Sequence, residues 1–142
     1  MDNRIRVLFV CVQNSFRSQI AEAIMNKKYG DRFFAESAGL NQGEIHPLAI
    51  RIMEDYGLDI SGNNVDSVFD FYKEGRVYSY VITVCSRDNE KQCPVFPGIR
   101  RRFNWDLENP EDYTGSEEEN FHKAIKLRDE IERRIDELVS IM

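Results

Sequence analysis

Residues 7 to 18 read Val7-Leu8-Phe9-Val10-Cys11-Val12-Gln13-Asn14-Ser15-Phe16-Arg17-Ser18, and this stretch constrains the chain more than any other. Four apolar residues in a row predict a strand buried on both faces, as in a parallel sheet covered by helices. The next residues change abruptly to a polar, thiol-bearing loop. After it, Gln19-Ile20-Ala21-Glu22-Ala23-Ile24-Met25 combines good helix formers with apolar residues at helical spacing. The loop therefore joins the carboxyl end of a strand to the amino end of a helix.

The first turn of a helix carries unpaired N–H groups and a partial positive charge, which together attract anions. That field, reinforced by the Arg17 guanidinium, favours the thiolate of a nearby cysteine, whose free thiol ionises at about pH 8.5. Arg17 also presents a planar fork to two oxygens of a tetrahedral oxyanion. Cys11 is thus the candidate nucleophile. Val12, Gln13, Asn14, Ser15, Phe16 and Arg17 form the candidate substrate cradle, and Arg17 and Ser18 join Cys11 as candidate catalytic residues.

The remaining patterns place this unit in a larger order. Predicted elements are a strand over 4–11, a helix over 17–29 stopped by Gly30, and a short strand over 32–37. A helix follows over 46–56, with Pro47 early and Gly57 just past its end. Next come a short helix over 66–72, a buried strand over 79–85 and a strand over 99–103. A long amphipathic helix over 116–141 is capped by Ser116 and most simply packs on the sheet. Strands alternating with helices imply an α/β fold, a doubly wound parallel sheet with helices on both faces that binds ligands at the strands' carboxyl ends. Without repeats or linkers, 1–142 is expected to be one domain.

Composition narrows the function. A net charge of −6 argues against a nucleic-acid binder, which needs a basic footprint. Arg100-Arg101-Arg102 is the one concentrated basic run, read as a solvated strand with one arginine pairing locally. No apolar run approaches a membrane span and no hydrophobic segment opens the chain, so a cytoplasmic protein without membrane association is expected. In that setting three cysteines suggest thiol chemistry or a metal site rather than a disulfide scaffold. The spacing of Cys85 and Cys93 and the remoteness of His46 and His122 make zinc a poor fit, and both histidines read as ordinary surface residues. Cys85 ends the second buried strand, and Cys93-Pro94 closes a stretch, 86–92, that has no large apolar residue and reads as a mobile loop.

The spacing Cys11-x5-Arg17-Ser18 between strand and helix resembles the signature loop of the low-molecular-weight protein tyrosine phosphatases and of the thioredoxin-coupled arsenate reductases built on the same fold. Asn14 and Ser15 match that pattern; Gln13 and Phe16 depart from it. Cys85-Ser86 and Cys93-Pro94 resemble the reductases' second and third cysteines. The resemblance implies a four-stranded sheet of order 2-1-3-4, which brings Cys11 and Cys85 to neighbouring strand ends. It implies arsenate or phosphate as the bound oxyanion, thioredoxin as the reductant and a monomer. It implies no tightly bound cofactor but, as in some members, a potassium site at Asn14, Glu22, Ser37 and Asp66. The family's general acid is an aspartate directly before a proline, a place that Asn109-Pro110 occupies here. Asparagine has no proton to give at neutral pH. Asp106 is the candidate replacement, with Glu108 and Asp112 nearby and nothing in the sequence to choose among them. Arsenate reduction through Cys11, Cys85 and Cys93 is the expected activity, and aryl phosphate hydrolysis the alternative.

Overall fold

The computed structural model describes residues 3–142. Its elements run β1 (Ile5–Cys11), α1 (Arg17–Tyr29), β2 (Phe33–Gly39), α2 (Pro47–Tyr56), α3 (Val68–Lys73), β3 (Tyr80–Thr83), α4 (Arg87–Glu90), β4 (Arg101–Asn104) and α5 (Glu117–Ser140), with a single 3-10 turn at Pro110–Asp112. The sheet has the order β2-β1-β3-β4, and every pairing is parallel. This is the expected 2-1-3-4 arrangement.

Central placement of β1 follows from its side chains. Val7, Leu8, Phe9 and Val10 are all fully buried, and alternate residues of a strand face opposite sides of the sheet. Val7 and Phe9 join a core with Ile20, Ile24, Ile52, Ile131 and Ile135 of α1, α2 and α5. Leu8 and Val10 join a second core with Val68 and Phe71 of α3. Helices therefore cover both faces. Each such apolar side chain contributes about 2 kcal/mol on burial, so a one-residue slip, which would exchange the two sets, is strongly disfavoured.

Several local expectations change. Gly30 does follow α1 but is right-handed, with φ −62°; Arg32 N–H instead turns the chain by donating to the Tyr29 carbonyl. Gly57 does adopt the left-handed conformation, φ 101°. The third strand stops at Thr83, two residues early, because the Val84 carbonyl is taken by Arg17 and the Cys85 carbonyl by Asn104. Residues 86–92 are not irregular throughout: Ser86 caps the single turn of α4, its hydroxyl accepting the Asn89 N–H. The apolar stripe of α5 packs chiefly against α1 and α2 and fills the same core as Phe9 and Trp105. No helix among the described residues is long and apolar enough to cross a membrane.

Candidate active site

The loop after β1 is held so that its carbonyls face outward. Those of Cys11, Val12, Gln13 and Ser15 accept the N–H groups of Leu40, Asn41, Gly43 and His46, at 2.7 to 3.2 Å. Turning carbonyls out turns amides in. The N–H groups of Gln13, Ser15, Phe16, Arg17 and Ser18 have no acceptor among the described residues. The first residue before α1 is Phe16, which has no side-chain cap to offer. An uncapped helix start with convergent free amides is an anion site. Gly39 makes room for the loop, since a Cβ there would lie 2.7 Å from the Asn14 nitrogen and from the Asn41 oxygen.

Asn14 sits at the bend of the loop, in the left-handed region with φ 54°, which asparagine tolerates better than most residues. Its side-chain oxygen accepts N–H groups from Asp66 and Gln19, while its Nδ2 donates to Ser18 Oγ at 2.8 Å. With that amide donating into the Ser18 oxygen, the hydroxyl hydrogen is left for Cys11 Sγ, 2.9 Å away. The Asn14 backbone N–H points at the same sulfur at 3.1 Å. Cys11 Sγ is thus placed to accept two hydrogen bonds, the pattern that a thiolate requires.

Arg17 is buried, and its Nη1 donates to the carbonyls of Val84 and Leu107 at 3.1 and 3.2 Å. These bonds fix the plane of the guanidinium beside the loop and tie β3 and the 105–107 segment to it. A pocket lined by Cys11, Val12, Gln13, Ser15, Phe16 and Arg17 opens above the loop, and Asn109, Pro110 and Glu111 form its opposite wall. Asn14 is fully buried beneath and supports the loop from inside.

Cys85 and Cys93 are both buried, at 1% and 6% exposure, and all three cysteines are free thiols. Cys85 follows the end of β3, next to β1. Burial raises its thiol above the usual range, the charge of Cys11 raises it further, and Arg17 acts in the opposite direction. Cys93 belongs to the second core, among Leu8, Val10 and Phe96, across the sheet from the cluster that holds Cys11. Burial pushes its thiol up to about 11, and Arg102 is the charge that opposes this. The charge of Cys85 acts on Cys93, as that of Cys11 acts on Cys85.

Residues 6–142 match the family of low molecular weight phosphotyrosine protein phosphatases. The chain belongs to that family. It is 33% identical over 138 residues to a Bacillus subtilis arsenate reductase, with 96% of both chains covered. Among solved structures it resembles an arsenate reductase in the phosphate-binding state, at TM-score 0.76 and 29% identity over 96% of this chain and 97% of that one. It also resembles a thioredoxin-dependent arsenate reductase from Corynebacterium glutamicum, at TM-score 0.73 and 31% identity, covering 98% of this chain and 62% of that one.

Within the family pattern, the place of the general acid stands out. Asn109 does line the pocket, with its side-chain oxygen occupied by the Glu111 N–H at 3.1 Å. Asp106 is exposed and lines an adjoining pocket with Ser86, Asn89, Glu108 and Asp112, sharing Val12 and Arg17 with the first. Glu108 is engaged by the Tyr113 hydroxyl. The carboxylate on the pocket wall is Glu111, which was not among the candidates Asp106, Glu108 and Asp112. His46 is no ordinary surface residue either: its ring stacks edge-on against Phe16, and its Nδ1 caps α2 by accepting the Leu48 N–H. Its signal was present in His46-Pro47 at a helix start. His122 is exposed beside Glu118.

The expected cation ligands converge in part. Ser37 donates to Glu22 at 3.2 Å, and the charges of Glu36 and Asp66 act on Glu22. Burial, more than those neighbours, raises the Glu22 carboxyl to about 7. The fourth expected ligand, Asn14, has its side-chain oxygen already engaged by two N–H donors.

Proposed function

We propose that this chain reduces arsenate to arsenite through Cys11, Cys85 and Cys93 in turn, and that a dithiol protein of the thioredoxin class recharges it. The observation that carries the reading is Cys11 Sγ, receiving the Asn14 N–H and the Ser18 hydroxyl at the floor of an amide-lined pocket. The inward amides and Arg17 bind the arsenate oxygens, and the Cys11 thiolate attacks arsenic, displacing one oxygen as water or hydroxide. Bonding that sulfur to arsenic removes its charge, which is one of the three influences raising Cys85, with burial and Glu90.

Cys85 then attacks Cys11 Sγ, forming the Cys11–Cys85 disulfide. The sulfur–arsenic electron pair leaves with arsenic, which departs as arsenite. Cys93 attacks Cys85, Cys11 leaves as a thiolate, and an external dithiol reduces the Cys85–Cys93 disulfide. Since Cys93 is 6% exposed in the second core, this exchange requires residues 86–93 to leave their places. The test is arsenate-dependent NADPH oxidation with thioredoxin and its reductase: steady turnover is expected, and turnover abolished by each single Cys→Ser change. Turnover that survives Cys93→Ser at the parent rate would contradict the relay.

The likeness to relatives named arsenate reductases supports this reading. Hydrolysis of aryl phosphates through Cys11 is the secondary activity, weakened by Asn109 at the acid's place. Oxygen ligands suit a hard cation such as potassium, and Glu22, Ser37 and Asp66 are the donors left for one, since both oxygens of Asn14 already accept hydrogen bonds. Such an ion would screen the carboxyls.

Glu22 carries a pH signature of that site. Its folded-state value of about 7, against 4.5 ordinarily, means that the folded chain keeps a proton the unfolded chain loses. Stability therefore falls as pH rises from about 4.5 to 7, by up to about 3 kcal/mol. Urea unfolding in potassium-free buffer should show the parent losing more stability than Glu22→Gln between pH 5 and pH 8. Potassium at pH 8 should restore the parent and leave the variant unmoved; an equal response of both would remove the cation from this site.

A further inference from the structure

The basic run divides on folding. Arg101 is exposed and lies 4.5 Å over the Phe103 ring. Arg102, on the opposite face of β4, is partly buried. Its Nη2 donates to the Glu90 carbonyl at 2.9 Å, and its Nε stands 3.7 Å from a Glu90 carboxylate oxygen. The same Glu90 carbonyl accepts the backbone N–H of Cys93 at 3.0 Å. Arg102 is therefore one shared acceptor away from the third cysteine.

Neighbouring polar groups extend the hold. The Glu90 carboxylate accepts the Thr83 hydroxyl at 3.1 Å, and Asn104 Nδ2 donates to Thr83 Oγ1 and to the Cys85 carbonyl, at 2.8 and 3.1 Å. Strand β4 thus grips the segment between the two cysteines at both ends. The grip is incomplete: Arg102 Nε and Asn104 Oδ1 are buried with no hydrogen-bond partner among the described residues. A buried donor without an acceptor costs stability and is relieved by any acceptor that arrives.

We propose that Arg102 is a positioning residue for Cys93: it holds residues 86–93 through Glu90 before exchange, then offers its unpaired Nε–H and its charge to the Cys93 sulfur. The proposal rests on the relay described above and assigns this residue to the relay's last internal step. In that step the Cys93 proton goes to solvent, a Cys93–Cys85 bond forms, the Cys85–Cys11 bond breaks, and Cys11 takes the electron pair. The titratable groups acting on Cys93 are Arg102 from β4, Cys85 after β3 and Glu90 from α4. From β1 and α3 its core receives Leu8, Val10, Val68 and Phe71, which are all apolar.

The test is built to judge Arg102 apart from arsenate chemistry. In a Cys11→Ser/Cys85→Ser background, the rate of Cys93 alkylation by iodoacetamide is followed against pH by peptide mass spectrometry. Arg102→Met should move the midpoint of that profile up by about one pH unit, as expected for loss of an adjacent opposite charge, and Arg102→Lys should bring most of it back. Glu90→Gln, which removes the competing carboxylate and leaves the carbonyl contact, should move the midpoint down. With all three cysteines present, Arg102→Met should release arsenite in a single turnover at the parent rate, yet form the Cys85–Cys93 disulfide about threefold more slowly, the roughly tenfold loss of thiolate being partly offset by the greater nucleophilicity of a more basic sulfur. An unchanged midpoint in Arg102→Met, no recovery in Arg102→Lys, or Met and Gln variants shifting the same way would overturn the proposal. Failure of the parent to release arsenite would instead sink the reductase reading, and the alkylation profiles would still decide the role of Arg102.

Discussion

Cys85→Ser should end arsenate turnover, by about 10³-fold or more as for removal of a covalent catalyst, while leaving hydrolysis of an aryl phosphate within about twofold. Serine nearly preserves the volume at this buried position after β3, so the sheet and the pocket stay formed. Its hydroxyl cannot form an S–S bond, so an arsenic adduct on Cys11 loses the thiol on the neighbouring strand, and Cys93 lies in the other core across the sheet. Aryl phosphate hydrolysis uses only Cys11, the inward amides and Arg17, none of which depends on the Cys85 sulfur. Parallel assays with arsenate and p-nitrophenyl phosphate measure both limbs. Loss of both activities would mean that Cys85 shapes the pocket, and loss of neither would remove it from the chemistry.

The second large effect is a gain. Asn109→Asp should raise the turnover of p-nitrophenyl phosphate by about 10²-fold, the lower range for a positioned general acid. The structure permits the change, because Asn109 uses its side-chain oxygen to cap the Pro110–Asp112 turn and aspartate caps equally well. The gain should appear as a limb of the pH–rate profile that falls as the new carboxyl ionises. Arsenate turnover should change far less, since an arsenate oxygen that already carries its proton leaves as water without a separate acid. Glu111, already on the pocket wall, is the carboxyl that can blunt the gain. An Asn109→Asp variant no faster than the parent, with Glu111→Gln also unchanged, would show that neither position reaches the leaving group.

Much of this was legible in the chain itself. The apolar run 7–10, the loop chemistry and the helix formers of α1 are local signals, and they marked β1, α1 and the loop between them, with α1 spanning Arg17–Tyr29 as expected. What could not be read depends on contacts between distant segments. Arg17 takes the Val84 carbonyl and thereby shortens β3, a bond that spans 67 residues and leaves no mark in the 79–85 pattern. The outward carbonyls of the loop are fixed by N–H groups of residues 40–46, to which the sequence pattern assigned no role in the loop. A one-turn helix such as α4 is too short to show periodicity, and its stability comes from Thr83 and Arg102. Glu111 escaped notice because position relative to a proline says nothing about which side chain faces a pocket.

The central claim is a two-electron transfer from Cys11, Cys85 and Cys93 to one arsenate, and the most direct measurement of it needs no reductant. Fully reduced protein is treated with excess arsenate, arsenite is quantified, and the cysteine pairing is mapped by mass spectrometry of proteolytic peptides. One arsenite per chain, a Cys85–Cys93 disulfide and Cys11 returned as a free thiol are expected. Arsenite release with all three thiols still reduced, or arsenate consumed without any disulfide between these cysteines, would contradict the claim.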